Sequence, residues 1–118
     1  MRTFLTILFT LAGLSLAQAH AFLDHADPKV GSTVHGSPPL VTIWFTEDLE
    51  PAFSKIQVFD AQRQEVDSKD SKVDPADKTV MTVSLPKLPA GTYKVKWSAV
   101  AVDTHHTTGD FTFMVAGP

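Results

Sequence analysis

The sequence predicts an all-β fold, an antiparallel Greek-key β-sandwich or barrel of about seven strands. Apolar and polar residues alternate in several short segments, which is the period of a strand with one buried face. These segments recur at intervals of about ten residues and are separated by glycine, proline and aspartate. Neither an amphipathic helix of useful length nor an internal repeat is evident, so helical and repeat architectures are excluded.

Five segments carry the alternating pattern most clearly. Their apolar residues fall in phase, so we predict that one face of each strand is buried. Trp44, Trp97 and the phenylalanines are predicted to join the same core. The five predicted strands are 40–46, 54–59, 79–85, 91–102 and 108–115.

Turn residues and charged residues occupy the segments between these strands. Segments 27–32 and 36–39 are rich in glycine, proline and serine, which predicts turns. Segment 60–77 is polar and charged, and we predict hairpins and loops there with one edge strand near Val66. The spacing is typical of an immunoglobulin-like or cupredoxin-like sandwich, without the disulfide of true immunoglobulin domains because cysteine is absent.

The first 19 residues have the pattern of a secretory signal peptide. Arg2 precedes an apolar run from Phe4 to Ala17, and Ala17-Gln18-Ala19 is the small-x-small pattern that precedes cleavage. The run of about 14 residues is shorter than the roughly 20 that a transmembrane helix needs. We therefore expect cleavage after Ala19 and an exported single domain spanning 20–118.

Charge and cysteine content narrow the classes of function. The net charge is −3, and loss of Arg2 would leave nine basic against 13 acidic residues, a net charge of −4. An acidic protein with no basic stripe is a poor candidate for nucleic-acid binding. The absence of cysteine excludes thiolate metal sites and cysteine nucleophiles.

Cleavage after Ala19 would create a metal chelate at the new terminus. His20 would then carry a free amine and an imidazole on one residue. Asp103 and His105 lie two residues apart, and in extended backbone their side chains would face the same side. The resulting set of three nitrogens and one oxygen suits tetragonal Cu(II), and zinc would accept the same groups in a tetrahedron.

The other histidines are weaker candidates. His106 should point away from His105 in extended backbone, and it is kept as a replacement or auxiliary ligand. His25 and His35 lie in turn-rich segments, where solvated loop residues are expected; His25 stays a candidate to assist because it follows His20 by only five positions. Among the acids near the end of the 40–46 strand, Glu47 is singled out as a residue that could support the site.

These residues together resemble the CopC family of periplasmic copper-binding proteins, over nearly all of the exported chain. The shared features are the histidine after the signal, a turn motif, two strand motifs, the Asp-x-His pair and the start of the last strand. They lie here at His20, at 27–34, at Phe45-Thr46-Glu47, at 91–97, at Asp103-Thr104-His105 and at 109–113.

The resemblance implies a copper site and two residues beside it. It implies one Cu(II) per chain held by the amine and imidazole of His20, the carboxylate of Asp103 and the imidazole of His105. It also implies that Glu47 hydrogen-bonds at the copper site and that Trp97 is the aromatic residue beside it. The fold it implies is a small Greek-key sandwich or barrel, in agreement with the strand pattern.

The resemblance further implies a role in copper homeostasis and resistance. The expected protein is a monomeric periplasmic copper carrier or buffer, not an enzyme, whose partner is an inner-membrane copper transport protein of the CopD type. Better-known members carry a methionine-rich loop for Cu(I), but segment 60–77 has no methionine, and the exported chain has only Met81 and Met114. Because Cu(I) needs soft ligands, we expect a Cu(II) site and no Cu(I) methionine site.

Two other classes of function stay open from the sequence. A terminal histidine chelate with a second histidine is also how lytic polysaccharide monooxygenases hold copper, so a histidine-brace oxidative enzyme is one alternative. Against it, an aspartate ligand favours Cu(II), and no aromatic platform for a polysaccharide is evident. The other alternative is an immunoglobulin-like assembly module that binds no metal.

Overall fold

A computed structural model describes residues 20–117, which form eight strands and one short 3-10 turn. The predicted signal peptide, 1–19, lies outside the described residues. Within residues 20–117, no helix is long and apolar enough to cross a membrane. The elements are β1 (Leu23–Asp27), β2 (Thr33–His35), β3 (Leu40–Phe45), the 3-10 turn (Pro51–Phe53), β4 (Lys55–Phe59), β5 (Lys72–Asp74), β6 (Asp77–Ser84), β7 (Gly91–Val100) and β8 (His106–Ala116).

The strands form two four-stranded sheets that pack face to face. The first sheet has the order β1-β3-β6-β5 and the second the order β2-β8-β7-β4. Neighbouring strands are antiparallel except for β2 and β8, which are parallel. The predicted all-β sandwich is therefore confirmed, with the single parallel pair as a difference.

Three short edge strands depart from the sequence prediction. Strands β1 and β2 flank the predicted turn at 27–32 and were not predicted themselves, and the edge strand of 60–77 is β5 rather than a strand at Val66. In β1 only Ala26 is buried, because Asp24, His25 and Asp27 occupy the other positions. Such a strand shows no apolar alternation, since it is held by backbone hydrogen bonds along one edge.

The core lies between the two sheets and contains the predicted in-phase residues. From each sheet, buried side chains such as Ile43, Val95 and Phe113 meet at the centre. The core prediction was wrong for four aromatic residues, one of which, Phe59, is half-buried at the end of β4. Phe22 and Phe53 are 53% and 68% exposed. Trp44 is half-buried on the outer face of β3, opposite in direction to its buried neighbours Ile43 and Phe45.

An aspartate fastens the polar segment 60–77 to the sandwich. The buried carboxylate of Asp67 accepts hydrogen bonds from the Val58 amide at 2.8 Å and from the Lys69 amide at 3.1 Å. Burial raises the pKa of Asp67 above its usual range. The segment is therefore ordered by polar contacts with β4. Such contacts leave no alternation of apolar residues in the sequence.

Trp97 occupies a space that exists only because its cross-strand neighbour is glycine. Trp97 on β7 is paired with Gly109 on β8, and the Phe45 ring meets its indole edge-on at 5.1 Å. A Cβ atom at Gly109 would lie 2.7 Å from Trp97 Cε2 and closer still to Cζ2. The indole thus packs directly on the Gly109 backbone.

Gly109→Ala should therefore destabilise the protein by about 1–3 kcal/mol, because the indole or the strand must move. Urea unfolding would measure the loss, and tryptophan fluorescence would report displacement of Trp97. Gly117→Ala is the matched control, since its Cβ would meet only the Ala90 Cβ at 4.0 Å. Equal stability of the two variants would contradict the packing described for Trp97.

Candidate metal centre

The two predicted histidine ligands lie together at one end of the sandwich. The imidazole of His20 is 4.5 Å from that of His105 between ring centroids, with an interplanar angle of 59°. His20 precedes β1, and His105 immediately precedes β8. The fold thus brings together residues that are separated by most of the described chain.

Two threonine side chains fix the backbone beside His20. The Thr46 hydroxyl donates to the His20 carbonyl at 3.2 Å and accepts from the Phe22 amide at 3.0 Å. The Thr107 hydroxyl donates to the carbonyl of Ala21. Sequence analysis assigned no role to either threonine, although Thr46 belongs to a segment that carried the family resemblance.

Asp103 and His105 meet in a turn and not in extended backbone as predicted. The Thr104 amide donates to the Ala101 carbonyl at 2.7 Å, and the Ala101 amide donates to the His105 carbonyl at 2.9 Å. Thr104 adopts a left-handed φ of 78°. The predicted proximity of Asp103 and His105 is present, but the turn and not strand alternation produces it.

The carboxylate of Asp103 is held by its neighbour. Its Oδ1 accepts from the His105 amide and its Oδ2 lies against the His105 Nδ1, both at 3.1 Å. These hydrogen bonds, with the nearby positive charge available on His105 and His20, lower the pKa of Asp103. The group is therefore an anionic oxygen donor next to two imidazoles.

The predicted ligands lie at the surface. The side chain of His105 is 52% exposed and that of Asp103 33% exposed. Among residues 20–117, no three His, Cys, Asp or Glu side chains are already arranged as a metal site. In a chain that retains Ala19, the His20 nitrogen is a peptide nitrogen, so the predicted amine donor does not exist in that form of the chain.

The remaining histidines make other contacts. The ring of His25 stacks on Trp44 at 4.3 Å, and its Nδ1 lies 2.7 Å from Asp24 Oδ2. His106 Nε2 lies 2.7 Å from the Ser98 hydroxyl. His35 is exposed on β2. That His25 or His106 assists metal binding therefore stays a prediction.

The two predicted supporting residues differ in position. Glu47 is half-buried just after Thr46, and no ion pair joins it to His20 or His105 within the described part of the chain. Trp97 is buried in the core against Phe45. The ring of Phe22, which sequence analysis did not assign to the site, lies 5.7 Å from the His20 ring between centroids. The roles of Glu47 and Trp97 stay predictions.

Comparison with known sequences identifies related proteins. The family model described as CopC domain matches residues 23–116. Protein YobA of Escherichia coli K12 is 33% identical over 116 residues, covering 98% of this chain and 94% of that protein. Copper transport protein CutJ of Bacillus subtilis is 32% identical over 98 residues, covering 82% of this chain but only 18% of that protein.

Solved structures share both the fold and part of the sequence. CopC from Methylosinus trichosporium OB3b aligns with a TM-score of 0.78 and 32% identity, over 83% of this chain and 95% of that one. PcoC, described as a methionine-rich copper resistance protein from Escherichia coli, aligns with a TM-score of 0.71 and 35% identity, over 83% of this chain and all of that one. These alignments support the sandwich architecture through most of the described residues.

Proposed function

Because the chain belongs to the CopC family, a family of copper-handling proteins, we propose that it is a periplasmic Cu(II) carrier or buffer in copper homeostasis and resistance. The observation that carries this proposal is the 4.5 Å separation of the His20 and His105 rings, with Asp103 against His105. One Cu(II) would be held by the amine and imidazole of His20, the carboxylate of Asp103 and the imidazole of His105.

The chemistry of this donor set favours Cu(II). Imidazole and amine nitrogens with one carboxylate oxygen suit a tetragonal ion, and Cu(II) has the highest affinity among divalent first-row metals for such ligands. The lowered pKa of Asp103 keeps the oxygen donor ionised. The Asp103 carboxylate also favours Cu(II) over Cu(I), which argues against an oxidative enzyme that must cycle between both states.

The surroundings of the proposed ligands suit a metal ion that binds reversibly and is transferred. Exposure of His105 and Asp103 gives the ion direct access from solvent or from a partner. The threonine contacts at His20 and Ala21 hold one half of the site without enclosing it. A resident structural metal would instead be expected in a closed, fully ligated site.

The two methionines of the described chain are poorly placed for a Cu(I) site. Met81 is fully buried in the core, and Met114 is exposed on β8. Eight residues of strand separate Met114 from His106, a distance of about 26 Å. We propose a Cu(II) site alone.

The comparisons also bear on localisation and partner. Residues 1–19 have the signal pattern described above, and we propose cleavage after Ala19 and export to the periplasm. CutJ is a longer copper transport protein that contains a region similar to this chain. We propose that this protein acts as a monomer and exchanges copper with an inner-membrane transport protein of the CopD type.

Protein beginning at His20 should bind one Cu(II) with the EPR spectrum of a tetragonal nitrogen and oxygen site. His105→Ala and Asp103→Ala should each weaken binding strongly because each removes a donor, whereas Glu47→Gln should cost on the order of 10–100-fold. Competition titration against a Cu(II) chelator measures these losses. His25→Ala and His35→Ala are the matched controls and should be near neutral. A larger loss for His35→Ala than for His105→Ala, or a preference for Cu(I), would contradict the proposed site.

One extra residue before His20 should reduce Cu(II) affinity by more than Glu47→Gln does. The side chains of the site are unchanged, but the amine of His20 becomes a planar peptide nitrogen whose lone pair is delocalised. The same chelator competition measures the loss, and circular dichroism confirms equal folding. Equal affinity of the two forms would exclude the amine as a ligand and point to internal histidines such as His25 or His106.

A further inference from the structure

A groove on the outer face of the second sheet is separate from the candidate metal centre. It lies between the hairpin at 60–64 and the strands β7 and β8, with a volume of about 530 Å³. Its lining includes the aromatic ring of Phe59 and the cationic side chains of Arg63, Lys94 and Lys96. A second hollow of about 330 Å³ continues from Lys96 to Lys55.

The lysines are regularly spaced along the sheet. Lys94 and Lys96 are two residues apart on β7, and both are exposed while the residues between and beside them are buried. Lys55 on β4 is paired with Ser98, two residues further along β7. Lys94 and Lys96 therefore project from one face about 7 Å apart along β7, and Lys55 projects from the same face one strand away, a further ~7 Å along the sheet.

The hairpin at 60–64 adds a fourth cation on a pre-ordered turn. The carboxylate of Asp60 accepts hydrogen bonds from the Gln62 and Gln64 amides, both at 2.9 Å. Arg63 adopts a left-handed φ of 66°, and its amide donates to the Asp60 carbonyl at 2.9 Å. The Asp60 carboxylate is thus hydrogen-bonded to amides of its own turn, and Arg63 lines the groove.

The cations of this groove have no ion-pair partner within residues 20–117. The lysine–carboxylate pair in that range joins Lys69 to Glu65, away from Lys55, Lys94 and Lys96. Lys96 Nζ lies 5.5 Å from the centroid of the Phe59 ring, a cation–π contact that holds the ammonium over the apolar part of the groove. Asp60 and Asp110 also line the two hollows, and Asp110 is paired with Lys96 across β7 and β8. The four cations and two carboxylates leave a net charge of +2 there, opposite in sign to the net charge of −3 of the whole chain.

We propose that this groove binds an extended acidic segment of a partner protein. In an extended peptide, alternate side chains point the same way at about 7 Å, which matches the spacing of Lys94 and Lys96 along β7. Lys55, one strand away, would meet a further carboxylate from the side. Carboxylates at alternate positions would meet these ammonium groups, and an apolar side chain would pack on Phe59. The net negative charge of the whole chain disfavours long, densely charged polyanions such as nucleic acid.

The site does not depend on the copper proposal. Lys94 lies six residues along β7 from Val100, at the metal end, a distance of about 20 Å. Lys55, opposite Ser98, is closer to that end, so a peptide centred on Lys94, Lys96 and Phe59 would leave His20 and His105 uncovered. Copper binding and peptide binding can accordingly be tested on the same variants and can fail separately.

The test is binding of a synthetic peptide that has glutamate at alternate positions and one phenylalanine, measured by fluorescence anisotropy. Lys94→Glu combined with Lys96→Glu should weaken binding by about tenfold or more, because two attractive contacts become repulsive. Lys72→Glu combined with Lys87→Glu changes the net charge equally at exposed positions elsewhere, and its affinity should stay within about twofold. Raising the salt concentration should weaken binding to the unaltered protein.

Several results would overturn the proposal. These are no binding of the peptide, an equal loss in both double variants, or equal binding of a peptide with glutamine in place of glutamate. Tighter binding of polyphosphate or anionic vesicles than of the peptide would show that the groove serves another anion. Circular dichroism and urea unfolding establish that both double variants fold. Changes in the NMR chemical shifts of backbone amides in β7 and at 60–64 on peptide addition locate the contact.

Discussion

The candidate site depends on the attachment of the first described residues to the end of the sandwich. Thr46 and Thr107 bind the carbonyls of His20 and Ala21, and these residues have no strand pairing of their own before β1 begins. The loop at 101–105 presents Asp103 and His105 at the same end. The backbone hydrogen bond from the Thr46 amide to the Phe22 carbonyl, at 2.9 Å, continues this attachment toward β1. The threonine contacts therefore join the two halves of the predicted ligand set at the end of the sandwich.

The long strands could be predicted because burial of one face imposes a period on their residues. Strand β7, for example, alternates exposed lysines with buried Tyr93, Val95 and Trp97. The short edge strands could not, because β1 buries only Ala26 and is defined by its backbone pairing with β3. Phe22 and Phe53 are exposed, which shows that residue type alone does not predict burial, since some hydrophobic residues stay at the surface.

At the candidate metal centre, the spacing of Asp103 and His105 predicted their proximity but assumed the wrong backbone geometry. Asp103 and His105 meet because Thr104 takes a left-handed conformation inside a closed turn. Thr46 and the groove cations were beyond sequence reasoning, because their meaning arises from contacts between distant positions. Lys55 and Lys94 are far apart in sequence, but β4 and β7 are neighbours in the sheet. The folded protein therefore has a cluster of basic side chains, although the sequence has no run of basic residues.

Strand β7 connects two regions that differ in chemistry. Its early part carries the lysines of the groove, and its far end leads into the turn of Asp103 and His105. A partner segment held weakly in the groove would keep the metal end nearby at an effective concentration that can reach the millimolar range. Metal exchange would then behave as an intramolecular step, so its rate would depend little on how dilute the two proteins are.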